Sequence, residues 1–138
     1  MLMNKGIHGL RIAIQGALLA SVGFISSTVF ANECDPQWHN SLSLNEGRLT
    51  LVQGEQEFSI DAKGQMYFDV HKIELSSKQT ELLSDYYEIL DNDLPYLLSH
   101  SQRIDKQVCE FVTLRIEQEQ RLQDAIPALK NWRSVTLN

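Results

Sequence analysis

A chain of 138 residues is long enough for one domain, and its 12 basic and 18 acidic side chains give a net charge of −6. This acidic balance disfavours direct binding to nucleic acid or anionic lipid, because both ligands require cations that displace counterions. The apolar share of 43% is ordinary for a folded domain, and the charge is too small to enforce disorder.

The first 31 residues have the three-part layout of a secretory signal peptide. They carry two basic residues and no acidic one, followed by an apolar run over residues 12–25 and small residues before a cut after Ala31. That run is about 14 residues, whereas a membrane-spanning helix needs roughly 20. We therefore predict that residues 1–31 are removed. The mature domain, residues 32–138, would have a net charge of −8 from 18 acidic and 10 basic side chains and no membrane span.

Two cysteines, Cys34 and Cys109, lie beyond the predicted cut. An even cysteine count in an oxidising compartment favours a disulfide. Closing a loop of this length would stabilise the fold by up to about 4.5 kcal/mol in the loop-entropy model. The alternatives are two buried free thiols or a redox or metal pair, although the chain has neither a C-x-x-C motif nor a histidine pattern suited to zinc. We predict a structural disulfide.

Residues 37–75 show apolar and polar side chains in alternation, interrupted by turns at intervals of about ten residues. This pattern predicts an antiparallel meander of about four or five strands with one buried face. The strongest hairpin signal is Asp61-Ala62-Lys63-Gly64, where an aspartate opens the turn and a glycine closes it.

The apolar period then changes to three and four residues, which predicts helices. Ser76 and Gln79 match a capping box, so the first helix should begin at about residue 77. Pro95 should stop or bend this helix near residue 93.

A second, longer helix is predicted over residues 95–124, followed by a tail at residues 125–138 whose last six residues fray. Cys109 lies at the margin of its apolar stripe, where it can reach a strand packed on the same helix. The predicted fold class is α+β, with a small antiparallel meander followed by two helices that pack on one face of the sheet.

Six short elements follow one another along the chain: an early cysteine (Cys34), an Asp-x-x-Gly hairpin (Asp61, Gly64), an aromatic strand (Met66-Tyr67-Phe68), a Leu-Ser-x-x-Gln helix start (Leu75, Ser76, Gln79), a helical tyrosine (Tyr86 or Tyr87) and a Leu-Pro pair (Leu94, Pro95). In this order they resemble the YggN-like family of exported bacterial proteins, a domain of unknown function. The resemblance implies a periplasmic location in a Gram-negative bacterium and no particular activity.

No spacing in the chain matches a catalytic, cofactor or metal site, and we predict none of these. His39, His71 and His100 lack the H-x-H and H-x-x-x-H spacings typical of zinc sites. Residues 91–93, Asp-Asn-Asp, lack the glycine and glutamate that a calcium-binding EF-hand loop requires. They are expected to form an acidic loop that ends the first helix.

Three tyrosines, Tyr86, Tyr87 and Tyr96, cluster where the two predicted helices meet. They could line a small groove, or they could pack at the margin of the core with their hydroxyl groups in water.

The predicted export, the predicted disulfide and the absence of a catalytic motif favour a non-catalytic periplasmic protein. Such a protein would bind an envelope protein or a small ligand, as a monomer or a weak homo-oligomer. One alternative is a small hydrolase whose site assembles in space, since triads are not recognised by spacing. Another is a chaperone-like or assembly protein that acts through the second helix.

Overall fold

The computed structural model describes residues 34–138, which form two antiparallel sheets and two helices. The predicted signal peptide and the cut after Ala31 lie outside the described residues. In chain order, the elements are β1 (Pro36–Trp38), β2 (Ser41–Asn45), β3 (Arg48–Gln53), β4 (Gln56–Asp61), β5 (Met66–Phe68), β6 (His71–Lys72), α1 (Ser77–Ser99), α2 (Lys106–Ala125), a short 3₁₀ turn (Pro127–Leu129) and β7 (Val135–Leu137).

Strands β2 to β6 form the predicted meander, in which each strand pairs with the next one along the chain. The alternating pattern turns one face of the sheet towards the helices, and this confirms the α+β fold class. The side chains on that face are fully or almost fully buried: Leu49, Leu51, Phe58, Ile60 and Met66.

The predicted hairpin at Asp61 is present between β4 and β5. The Asp61 carboxylate accepts hydrogen bonds from the backbone N–H groups of Lys63 and Gln65, at 2.9 and 3.0 Å. Gly64 has a φ of +81°, and a Cβ atom at this position would lie 2.0 Å from the carbonyl oxygen of Thr80 in α1. Only glycine allows the hairpin and the helix to approach so closely.

Helix α1 begins at the predicted capping box, where the Ser76 side chain accepts from the Gln79 N–H and the Gln79 side chain accepts from the Ser76 N–H. The predicted end near residue 93 is wrong, because α1 continues through Pro95 to Ser99. An interior proline costs about 3 kcal/mol. The last turns of α1 offset this cost by burying Leu97 against Val108 of α2 and their neighbours.

Helix α2 therefore starts later than predicted, at Lys106, with Asp105 as its N-cap accepting from the Val108 N–H at 2.9 Å. The second helix is not the longer one, because α2 has 20 residues and α1 has 23. Residues 91–93 lie inside α1 and do not form the expected acidic loop.

Helix α1 lies on the sheet, and α2 packs chiefly on α1 and β7. The main core joins Leu83, Tyr86 and Leu90 of α1 to the buried face of the sheet. Apolar residues near the C-terminus complete the same core: Leu122, Ile126, Leu129 and Trp132.

The C-terminal tail does not fray as predicted, because β7 pairs with β1 in a second sheet, with Trp38 opposite Val135. The start of the region predicted as a meander, residues 37–45, is consequently divided between the two sheets, with β1 in one and β2 in the other. The disulfide Cys34–Cys109 is confirmed, with a Cα–Cα distance of 5.8 Å, and it attaches the segment before β1 to α2.

We predict that Gly64→Ala lowers the free energy of unfolding by at least about 2 kcal/mol, because the added methyl group meets the backbone of α1 and the left-handed φ is strained. Gly54→Ala is the matched control. Gly54 also has a positive φ, +61°, but no atom lies within 4 Å of its added Cβ, so its loss should be about 1 kcal/mol. Urea unfolding of both variants measures the difference, and equal losses would contradict the close contact.

Replacing both cysteines, Cys34→Ser with Cys109→Ser, should lower the free energy of unfolding by about 2–4 kcal/mol. The disulfide spans 75 residues and restricts the unfolded chain. Equilibrium urea unfolding of the oxidised protein and the double variant checks this, and an unchanged midpoint would show that the disulfide contributes no stability.

Candidate ligand-binding site

The three tyrosines of the predicted groove face three different environments. Tyr86 is fully buried in the core. Tyr87 is half-buried, and its hydroxyl group lies near Gly47 in the turn between β2 and β3. Tyr96 donates to the Asp105 carboxylate at 2.5 Å and stacks on the His100 ring, with centroids 3.8 Å apart. The structure therefore does not bring these side chains to a common groove.

Tyr86 belongs to a buried polar network around Glu119 of α2. The Glu119 carboxylate accepts from the Tyr86 hydroxyl at 2.7 Å, from the Ser134 N–H at 3.0 Å and from the Ser134 hydroxyl. The Trp132 indole N–H in turn donates to the Tyr86 oxygen at 3.0 Å. Burial and the adjacent Glu119 carboxylate raise the pKa of Tyr86 well above its usual value, so Tyr86 remains a donor. The network holds the segment before β7 against both helices.

A pocket of about 310 Å³ opens beside this network, at the junction of the two sheets and the two helices. Its volume is at the lower end of the range for small-molecule sites. Five segments form its wall: the β1–β2 junction (Trp38, His39, Asn40, Ser41, Leu42), the end of α1 (Leu94, Leu97, Leu98), the connection between the helices (His100, Ser101, Ile104), α2 (Val108, Arg115) and the residue before β7 (Ser134).

The wall of this pocket is mainly apolar and contains one permanent cation, Arg115. No acidic side chain lines the pocket within residues 34–138, although the chain as a whole is acidic. His39 and His100 are the other titratable residues of the wall. The pocket is therefore a place where apolar surface and positive charge occur together.

Arg115 is buried, with 2% of its surface exposed. Its Nε and Nη2 atoms are enclosed and donate to no acceptor in the described part of the chain. The guanidinium carbon lies 5.9 Å from the centroid of the Trp38 ring, so the cation sits over an aromatic side chain of the same wall. A buried cation with unused donors is costly, because these donors have lost water without gaining a partner.

Asp93 of α1 is the carboxylate that Arg115 influences. It is buried too, and both of its oxygens lack a hydrogen-bond donor among the described residues. Burial raises the pKa of Asp93 to about 6, and the positive charge of Arg115 opposes part of that rise. No Asp93 oxygen lies within 4.0 Å of an Arg115 nitrogen, so the two charges act on each other without forming an ion pair.

The arrangement in the described region lacks a hydrolytic triad. The Nδ1 atom of His100 is 2.9 Å from the Ser99 hydroxyl and 2.9 Å from the Tyr96 carbonyl oxygen. No histidine nitrogen of residues 34–138 lies within 4.0 Å of a carboxylate oxygen. Ser134 donates its hydroxyl to Glu119, and its contact with a histidine is through the backbone alone, where the His39 N–H donates to the Ser134 carbonyl oxygen at 2.9 Å.

Within residues 34–138, no three histidine, cysteine, aspartate or glutamate side chains are placed to share a metal ion. None of the helices in this region has the length and apolarity to cross a membrane.

Sequence reasoning missed Arg115, Asp93 and Glu119. Charged side chains on a helix are ordinarily assigned to its solvated face. The three- and four-residue spacing nevertheless places all three on buried stripes: Asp93 lies between Leu90 and Leu97 of α1, and Arg115 and Glu119 lie between Val112 and Leu122 of α2. That spacing was the signal that could have found them.

Asp93→Asn should make stability less dependent on pH. Because folded Asp93 holds its proton more tightly than the unfolded chain, its favourable contribution is complete below pH about 4 and is lost as the pH rises through about 6. The variant should therefore gain up to about 3 kcal/mol relative to the wild type between pH 3.5 and pH 7.5. Urea unfolding of both proteins across this range measures the gain, and parallel curves would contradict it.

Comparison of the chain with protein-family models, with curated protein sequences and with solved structures finds no match.

Proposed function

We propose that this protein is a non-catalytic binding protein of the bacterial periplasm that takes a small, largely apolar molecule into the pocket between β1, α1 and α2. The observation that carries the proposal is the pocket itself, because five separate chain segments converge on it and leave apolar side chains facing one another across a space. Close packing is the rule in protein interiors, so a space of this size in a small domain is a candidate binding site.

The size of the pocket supports a small ligand. At about 30 Å³ for a water- or methylene-sized group, a volume of 310 Å³ accommodates about ten heavy atoms. Leu98 and Trp38 both line the pocket and remain 73% and 54% exposed, so the pocket presents two large apolar side chains to solvent. A bound apolar chain would cover both.

The periplasmic location is part of the proposal. The disulfide supports it, because such bonds persist in oxidising compartments. The signal-peptide layout and the resemblance to the YggN-like family are in keeping with it. Mass spectrometry of the protein expressed with its own leader tests this part, since export requires a mature N-terminus at Asn32 and an oxidised disulfide.

Octanol, a neutral ligand with nine heavy atoms, should bind the pocket and shift the fluorescence of Trp38 to shorter wavelength. Trp38 lines the pocket, while the only other tryptophan, Trp132, is fully buried and should not respond. Leu98→Glu places a charge on the apolar wall and should weaken octanol at least about tenfold. Titration followed by tryptophan emission measures both affinities.

Leu114→Glu is the matched control, because Leu114 is an exposed leucine of α2 that does not line the pocket. It should bind octanol like the wild type. If octanol fails to bind, or if both variants bind it equally, the pocket is not a ligand site. If Leu114→Glu instead changes the oligomeric state measured by light scattering, an assembly role for α2 is the better explanation.

A further inference from the structure

We infer that the pocket selects an amphipathic carboxylate, a short aliphatic chain with an anionic head, and that Arg115 recognises the head. This inference rests on the proposed function, because it names the class of ligand that the same pocket takes. The apolar wall would hold the chain, and the guanidinium would pair with the carboxylate.

The first support is the charge of the wall. Residues 34–138 contribute an arginine and two histidines to it and no acidic side chain, in a protein with a net charge of −6. A pocket of low polarity strengthens any charge interaction inside it, so one arginine discriminates strongly between an anion and a cation. The ligand that fits this wall is negative at one end.

The second support is the state of Arg115 itself. It is 98% buried, it lines the pocket, and its Nε and Nη2 atoms have no acceptor among the described residues. These two nitrogens lie on one edge of the guanidinium. The distance between them matches the distance between the two oxygens of a carboxylate, so one carboxylate can accept from both. Pairing with a ligand carboxylate would satisfy donors that the fold leaves unused.

Asp93 is a competing partner for Arg115. Its oxygens are also without donors in the described region, and its charge acts on Arg115 from the α1 side, but no oxygen approaches within 4.0 Å. A ligand carboxylate that contacts the guanidinium directly would therefore gain hydrogen bonds that Asp93 does not make. Removing the Asp93 charge should strengthen anion binding.

Three ligands of equal chain length test the inference on the full chain expressed with its own leader: octanoate, octanol and octylamine, each followed by Trp38 emission. Octanoate should bind at least about tenfold more tightly than octanol, and octylamine, a cation at neutral pH, more weakly than both. If octanol binds and octanoate binds no more tightly, the inferred selectivity for anions is wrong, while the proposed function stands. If none of the three binds, both fail.

Arg115→Met keeps much of the side-chain volume and removes the charge. It should reduce the preference for octanoate over octanol to within about twofold. Retention of the tenfold preference would show that Arg115 does not recognise the head. Because this variant leaves the Asp93 charge buried alone, Arg115→Met with Asp93→Asn provides a neutral version that folds without either charge and should show the same loss of preference.

Asp93→Asn alone should increase octanoate affinity several-fold and leave octanol affinity unchanged. A purely structural role for Arg115 as the counter-charge of Asp93 makes the opposite prediction, in which octanoate gains nothing when Asp93 is replaced. Thermal unfolding of each variant confirms that the binding measurements compare folded proteins.

Discussion

The buried carboxylate of Glu119 is the constraint on which the rest of the structure depends. It accepts hydrogen bonds from Tyr86 on α1 and from Ser134 next to β7, while α2 carries it. A buried charge is tolerated only where donors replace its lost water, and here a hydroxyl, a backbone N–H and a second hydroxyl do so. The network joins both helices to the C-terminal segment, which lets β7 pair with β1 and thereby forms one side of the pocket.

Arg115 and Asp93 contrast with this network, although they lie between the same two helices. Glu119 is fully supplied with donors, whereas the enclosed polar atoms of Arg115 and Asp93 have no hydrogen-bond partners in the region described. Unsatisfied buried polar groups are uncommon in native folds because each one lowers stability. Retaining an unsatisfied arginine in the wall of an apolar pocket is understandable if the arginine serves a ligand, since local rules of stability are most often violated at functional sites.

Helix α1 illustrates how tertiary packing overrides local preference. Pro95 and the polar run before it favour a break, and an isolated peptide of this sequence would be expected to end its helix there. In the folded chain, Leu97 packs with Val108 and Val112 of α2, and Tyr96 bonds to the N-cap Asp105. These contacts stabilise nearly two more turns of helix, and those turns carry Leu97 and Leu98 to the pocket wall.

The α+β class, the meander with its Asp61 hairpin, the capping box at Ser76 and the Cys34–Cys109 bond could all be predicted from the amino-acid sequence. Each depends on residues close together in the chain, or on a count of two cysteines that permits only one pairing within the chain. The end of α1, the β1–β7 pairing and the burial of Glu119, Arg115 and Asp93 became evident in the folded chain alone. These features arise from contacts between segments far apart in the chain, and neither periodicity nor propensity specifies which segments will meet.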